Sequence, residues 1–272
     1  MTKISIITVN YNDAVGLDKT IKSIVNQSYT SYELIVIDGN SSDGSKEIIQ
    51  QNAAKIQHWV SEKDTGVFNA MNKGIRASKG EFVIFMNAGD CFFDAHVLEK
   101  AATFFSDSID IYYGNNIKKS PNSERLKTYP DQLDFSFFYS SSINHQSTFI
   151  RRSLFDQFFY YNESYKIASD WEFFIYAICY KNVSYKYLNQ TIAVYDFTGI
   201  SSNPKSSELF KKEKTNTIRK YFPTFEKDYE SLSLLTSKRI QQVVHIQKFP
   251  MAWKVLKAFI SVVLFFTPKF KR

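Results

Sequence analysis

The stretch Glu81–Asp94, EFVIFMNAGDCFFD, decides the reading of the fold. Phe82 to Met86 form an unbroken apolar run, the pattern of a strand buried on both faces of a sheet. Two small residues follow, Ala88 and Gly89, and then a carboxylate, Asp90. Small residues at a strand end let another group approach the backbone closely, so Asp90 is expected to face a ligand.

Working outward, the preceding residues predict strand Ile4–Val9, helix Ala14–Gln27, strand Glu33–Ile37, helix Ser45–Ala54, a short strand Gln57–Val60 and helix Val67–Ala77. That alternation is the rhythm of a parallel sheet with helical crossovers. Beyond Leu98 the spacing predicts a strand at Asp110–Tyr113, a polar loop at Lys118–Arg125, a strand at Thr148–Arg151 and a helix at Asp170–Tyr180. VSYKYL and TIAVYDF read as a hairpin or the last sheet edge, and helices resume after Pro204. The class is α/β, a mostly parallel sheet flanked by helices, with residues 1–222 as one domain and 223–272 as a helical extension.

A chain of 272 residues with 44% hydrophobic content can bury a substantial core. The formal charge of +7 permits attraction to anionic membranes, phosphorylated substrates or nucleic acid. No nucleic-acid-binding module accompanies it, so no nucleic-acid partner is expected. Cys91 and Cys179 are the only cysteines and form no CxxC or metal cluster, which fits a reducing cytosol. MTKISIITV enters a strand at once without a secretory signal pattern, so the chain is expected to stay in the cytoplasm.

In an open parallel sheet, ligands bind at the carboxyl ends of the strands. TVNYND, IDGNSSDGS and NAGD end three of them, which places Tyr11, Asp38 and Asp90 on one rim, and SEKDTGVFNAMNKGI adds Asp64 just before a helix. Each has a plainer explanation. Asp38 and Asp43 suit an Asx-turn, Asp64 a turn before Gly66, Asp90 a helix cap, and Tyr11 ordinary packing. Neither GxGxxG nor GxxxxGK[ST] follows the first strand, so a dinucleotide fold or a phosphate loop is not indicated.

In series, SIITVNYN, ELIVIDGNSSDGS, SEKDTGVFNAMNKGI, GEFVIFMNAGD and SDWEFF resemble family-two inverting bacterial glycosyltransferases of the GT-A fold, over about Lys3 to Tyr180. The resemblance is to the branch that builds exopolysaccharide, capsule or lipopolysaccharide chains. It implies a nucleotide-sugar site in which Tyr11 lies against the base, Asp38 accepts a hydrogen bond from a base nitrogen and Asp64 helps hold the nucleoside. Asp90 matches the last acid of the family's DxD-type motif, implying Mn²⁺ or Mg²⁺ on the diphosphate. Asn87 and Gly89 stand where many members have Asp, leaving one carboxylate for the metal.

Ser169 reads as a helix N-cap, which puts Asp170 and Glu172 in a first turn, where the helix dipole favours acids whatever their function. The resemblance implies that Asp170 is the catalytic base of a single inverting displacement, with Glu172 as a weaker substitute. In NHQSTFIRRS, His145 is a candidate contact for acceptor or metal, or a structural residue, and Arg151 and Arg152 are candidates for phosphate. YDFTGIS, with Gly199, resembles a mobile loop near the diphosphate.

Met251 to Phe266 is mostly apolar, interrupted by Lys254 and Lys257, and too short to span a bilayer. An in-plane helix with Trp253, Phe259 and Phe265 in the interface fits, as does docking on another protein surface. The resemblance implies as partners a nucleotide-sugar donor, read as UDP-linked, and a lipid-linked or surface glycan acceptor at the inner membrane face. Two other classes share some of these features: a non-catalytic sugar-nucleotide or glycan-binding scaffold, and a metal-dependent nucleotidyltransferase. Sequence leaves the oligomeric state open.

Overall fold

A computed structural model describes residues 4–120, 123–196, 206–225 and 237–268, together with residues 228 and 235. The chain divides into two compact units, Met1–Tyr221 and Phe222–Arg272.

The first unit begins with β1 (Ile4–Asn10), every residue of which is buried. It continues through α1 (Ala14–Val25), β2 (Tyr32–Asp38), α2 (Ser45–Gln51), β3 (His58–Ser61), α3 (Val67–Ala77) and β4 (Phe82–Phe85). Next come β5 (Cys91–Phe92), α4 (Val97–Ala102), β6 (Ile111–Ser120), β7 (Ser123–Lys127), α5 (Phe135–Ser140), β8 (Thr148–Arg151) and α6 (Ser153–Gln157). α7 (Ser169–Ile175), a π-helical turn over Tyr176–Tyr180, β9 (Tyr185–Asp196) and α8 (Ser206–Tyr221) complete it. The sheet runs β3-β2-β1-β4-β8-β6-β9-β5, with β7 paired to β6. It is parallel from β3 to β4 and mixed beyond, where β8 runs antiparallel to both neighbours. This is the expected α/β class, and its parallel half is the part that the alternating sequence pattern foretells.

Two expectations give way. The polar stretch Lys118–Arg125 is largely a β-ribbon rather than a loop: Ile117 faces Leu126, Lys118 faces Arg125 and Lys119 faces Glu124. Its strands are exposed, so no apolar alternation betrays them. VSYKYL and TIAVYDF contribute to one strand, β9, and not to a hairpin. Its register against β6 shifts near Asn115, and Asn189 takes a positive φ of 42°, a bend that Asn tolerates.

Packing explains why β1 sits at the centre. Ile4 and Ile6 share a buried cluster with Leu17, Ile21 and Ile24 of α1. Ile7 meets α3, where a Cβ built on Gly74 would collide with its Cγ2 methyl. The glycine lets α3 lie against the sheet, at the cost of the helix propensity that Ala would add.

In the second unit, α9 (Lys238–Gln247) and α10 (Pro250–Phe265) pack on each other, and α10 exposes Met251, Val255, Phe259 and Phe265. Among the described residues no helix is long and apolar enough to cross a membrane.

Gly74→Ala should destabilise the protein by about 1–3 kcal/mol, because overpacking against a branched side chain outweighs the gain in helix propensity. Urea unfolding measures it; an unchanged midpoint would mean that α3 is free to move away from β1.

Candidate active site

The cleft is built at the carboxyl ends of the parallel strands. Register sets Asn10 beside Asp38 and Asp38 beside Ser61 across β1, β2 and β3. Asp38 is fully buried and accepts from Asn10 Nδ2 (2.7 Å), Ser41 Oγ (2.6 Å), Ser41 N (2.9 Å) and Ser61 Oγ (2.6 Å). Burial alone would push its pKa up, but the hydrogen bonds from Ser41, Ser61 and Asn10 prevail and hold it below the usual carboxylate value. Asn12 and Asn40 adopt left-handed φ, and Asn12 Oδ1 accepts Ser42 N, so the loops after β1 and β2 brace one another. Asp43 likewise receives Ala14 N and Ser45 N, the structural use open to it in the sequence.

Next to this framework lies a cleft of about 1080 Å³. Tyr11, Asp64, Asp90 and Asp170 line it, together with Asn10, Gly39, Asn87, His145, Gln146, Lys166 and Trp171. Asp38 is not among the lining residues. Tyr11 is 69% exposed, a ring offered to the cleft rather than to the core. Asp64 turns one oxygen to Gly66 N (3.0 Å), and a Cβ on Gly39 would lie 2.7 Å from the other and 3.0 Å from Tyr11 Cδ2. Tyr11, Gly39 and Asp64 therefore form one tight corner.

A second group forms where β4 ends. Asp90 N bonds back to Asn87 O (2.9 Å), and Gly89 in the turn has φ 91°, so the glycine serves backbone geometry. α1 clamps this turn: Lys19 Nζ donates to Gly89 O (2.6 Å) and Thr20 Oγ1 to Asp90 O (2.7 Å). Asp90 precedes β5, so it caps no helix. Its Oδ2 accepts Gln146 Nε2 (3.2 Å), while neighbouring His145 Nδ1 lies 2.8 Å from Asp170 Oδ2. A single 3₁₀ turn, His145–Ser147, thus ties together the two acids that the sequence set apart.

Asp170 stands in the first turn of α7, its Oδ1 accepting Trp171 N (2.8 Å). Ser169 does not cap this helix; its hydroxyl accepts Asn162 N (2.5 Å). The start of α7 is held instead by Glu213 of α8, a buried carboxylate that accepts the N–H groups of Lys166 (2.7 Å), Ile167 (3.1 Å) and Ala168 (2.9 Å). Glu172 is buried away from the cleft lining, 3.5 Å from Lys220 Nζ, with burial raising its pKa. Arg151 is spent on Glu81 and Asp110, and Arg152 on Ser78 O and Asp156, so neither is offered to a phosphate. Most of YDFTGIS, including Gly199, lies outside the described residues.

The donor set tests the expected divalent cation. Among the described residues, no three His, Cys, Asp or Glu side chains cluster to hold a metal. Beside Asp90, however, Asn87 Oδ1 and Gln146 Oε1 are buried amide oxygens with no hydrogen-bond partner among those residues. One carboxylate and two amide oxygens are hard donors, which suit Mg²⁺ or Mn²⁺ with remaining positions filled by phosphate oxygens and water.

The family model described as Glycosyl transferase family 2 matches residues 5–165. Over 216 residues the chain is 31% identical to the PGL/p-HBAD biosynthesis glycosyltransferase of Mycobacterium bovis, a match covering 76% of this chain and 82% of that protein. The glycosyltransferase AglE of Haloferax volcanii is 30% identical over 125 residues, 44% of this chain and 41% of its own. Among solved structures, S. aureus TarS 1-349 in complex with UDP-GlcNAc superposes with a TM-score of 0.68 at 19% identity, over 89% of this chain and 75% of that one. In another TarS structure the match takes in 39% of that chain. The mannosyltransferase PcManGT from Pyrobaculum calidifontis, in complex with GDP-Man and Mn²⁺, superposes at 0.59 and 14% identity over 95% of this chain and 75% of that one. These structural likenesses are likenesses of fold.

Glu213→Ala should lower stability by about 1.5–3 kcal/mol, since three N–H groups, that of Ala168 buried, lose their carboxylate acceptor. Thermal or urea unfolding reads the loss; wild-type stability would show that the segment before α7 is held by other contacts.

Proposed function

The chain belongs to glycosyl transferase family 2, and from that membership we propose that it moves a sugar from a nucleotide diphosphate, a UDP-sugar, to a hydroxyl of a lipid-linked or surface glycan with inversion. The observation that carries this reading is one cleft lined both by the corner Tyr11–Gly39–Asp64 and by the pair Asp90 and Asp170. In it, Tyr11 stacks on the base and Asp64 holds the nucleoside, with Gly39 leaving room for their ligand. Asp38 would have to surrender a hydrogen bond from Ser41 or Ser61 to meet the base, so we assign it to holding the strand-end loops. The UDP assignment is supported by the fold shared with TarS, whose complex contains UDP-GlcNAc.

Asp90 with Asn87 and Gln146 would hold the divalent cation. When bound, that cation supplies positive charge where the leaving diphosphate gains negative charge. Asp170 accepts the proton of the attacking hydroxyl. The other lining carboxylate of this group, Asp90, is assigned to the cation, which leaves Asp170 as the one base for a single displacement without a covalent intermediate.

The second unit supports a membrane-borne acceptor. α10 has 16 residues, about 24 Å at 1.5 Å per residue, against a hydrocarbon core of about 30 Å. Its exposed Met251, Val255, Phe259 and Phe265 come with exposed Lys254 and Lys257, a combination suited to lying in an anionic interface at the inner face of the cell membrane. Lys269, Lys271 and Arg272 lie outside the described residues.

UDP with Mn²⁺ should raise the melting temperature of the wild type, and Asp90→Asn should abolish the gain that depends on the metal. Asp170→Asn should bind UDP normally yet lose about 100-fold or more in nucleotide release with acceptor present. Equal rates would remove Asp170 as the base, and stabilisation by UDP without any effect of metal would remove the cation. Separately, the full chain should sediment with vesicles containing anionic lipid and lose that binding in Phe259→Glu/Lys254→Glu; equal sedimentation of both proteins would place the apolar face elsewhere.

A further inference from the structure

His145 is a ring held on three sides. Its Nδ1 lies 2.8 Å from Asp170 Oδ2, and its Nε2 lies 3.2 Å from Asn87 Nδ2. Phe85, fully buried on β4, meets it edge to face at 5.9 Å. The His145 side chain is 15% exposed and that of Asp170 19%.

In this orientation of the Asn87 amide, Nδ2 faces Nε2 and donates to it. With Nε2 accepting, the ring proton is on Nδ1 and points at Asp170. Trp171 N occupies the other carboxylate oxygen, so both Asp170 oxygens are fixed in direction while each keeps a lone pair for a substrate. A base on the first turn of a seven-residue helix would otherwise be free to rotate about its terminal torsion. Asn87 belongs to the same turn as Asp90, which links the base to the strand end assigned to the diphosphate.

We propose that His145 is the positioning residue of Asp170, its Nδ1–H donating to the Asp170 carboxylate while its Nε2 accepts from Asn87. The inference rests on the assignment of Asp170 as base. In the reaction, the acceptor O–H bond breaks, its proton passes to Asp170 and its oxygen forms the new bond to the anomeric carbon as the bond to the nucleotide diphosphate breaks. His145 Nδ1–H goes on donating to the carboxyl group throughout, so no proton moves onto the ring.

The other three histidines, His58, His96 and His245, are exposed. Replacing them with Gln leaves His145 as the one imidazole, whose two ring nitrogens are read by ¹⁵N NMR above the range where imidazole titrates. The expected spectrum has a protonated Nδ1 and a bare Nε2, the reverse of the form that free histidine prefers. Asp170→Asn in the same background should abolish that pattern. A protonated Nε2, a doubly protonated ring or a spectrum unmoved by Asp170→Asn overturns the proposal.

Kinetics supplies the second reading, with UDP-N-acetylglucosamine as the donor probe. The amide of His145→Asn reaches the position of Nδ1 and that of His145→Gln the position of Nε2. Gln should therefore lose about tenfold or more in kcat with donor KM unchanged, and Asn should recover most of it. Wild-type kcat in His145→Gln beside an inactive Asp170→Asn removes the positioning role alone. An active Asp170→Asn removes the base assignment beneath it, while the NMR result still decides the tautomer.

Discussion

The site depends on two consecutive side chains, His145 and Gln146, each reaching a different carboxylate. A 3₁₀ turn directs them, and that turn is itself fastened by polar atoms. Asn144 O accepts Ser147 N (3.0 Å) and Thr148 Oγ1 (2.8 Å), while Asn144 Oδ1 accepts Tyr129 OH (2.9 Å). Lys127 Nζ donates to Ser142 O (3.0 Å), and burial lowers its pKa to about 8. The amine loses hydration to brace the segment, a cost accepted because an unbraced turn would let Asp90 and Asp170 drift independently.

The same division of labour recurs on the other side of the cleft. Asp38 stays ionised at the end of a buried strand because four donors converge on it, and the loops that carry Tyr11 and Gly39 are organised around that charge. A carboxylate this well satisfied is a poor ligand for anything new and a good anchor. Glu213 plays the matching part for α7. Of the acids facing the cleft, Asp64 and Asp170 make fewer hydrogen bonds, and the acids behind it keep the backbone in place.

The parallel half of the fold was legible because β1, β2 and β4 are almost wholly buried and its helices carry a clear apolar stripe; the run Phe82–Met86 could hardly be anything else. β7 was not legible, since Ser123–Lys127 is a solvated ribbon whose ladder is made by the backbone. The bend in β9 at Asn189 resembles a turn in sequence, and only pairing with β6 shows that the strand continues. Within the site, a strand end marked Asp90 and the start of a helix marked Asp64, while Asp170 stood out only through the family resemblance. Glu213 had no such marker: on an amphipathic helix it reads as one more surface acid. Lys19 and Thr20 were hidden for the same reason, because a clamp on backbone carbonyls leaves no motif.

The thinned acidic motif follows from these constraints. Gly89 occupies a positive φ, so an acid there would strain the turn that aims Asp90. Asn87 turns its amide N–H toward His145, a bond a carboxylate could accept only from a protonated Nε2. With Asn there, Nδ2 donates to the ring and the amide oxygen is left without a partner among the described residues. The proposed cation is then met by one protein charge and two amide dipoles, too little to hold it firmly without more oxygen donors. The diphosphate supplies those donors, so in this reading the cation and the nucleotide enter as a pair, and charge accumulates in the cleft only when there is a bond to break.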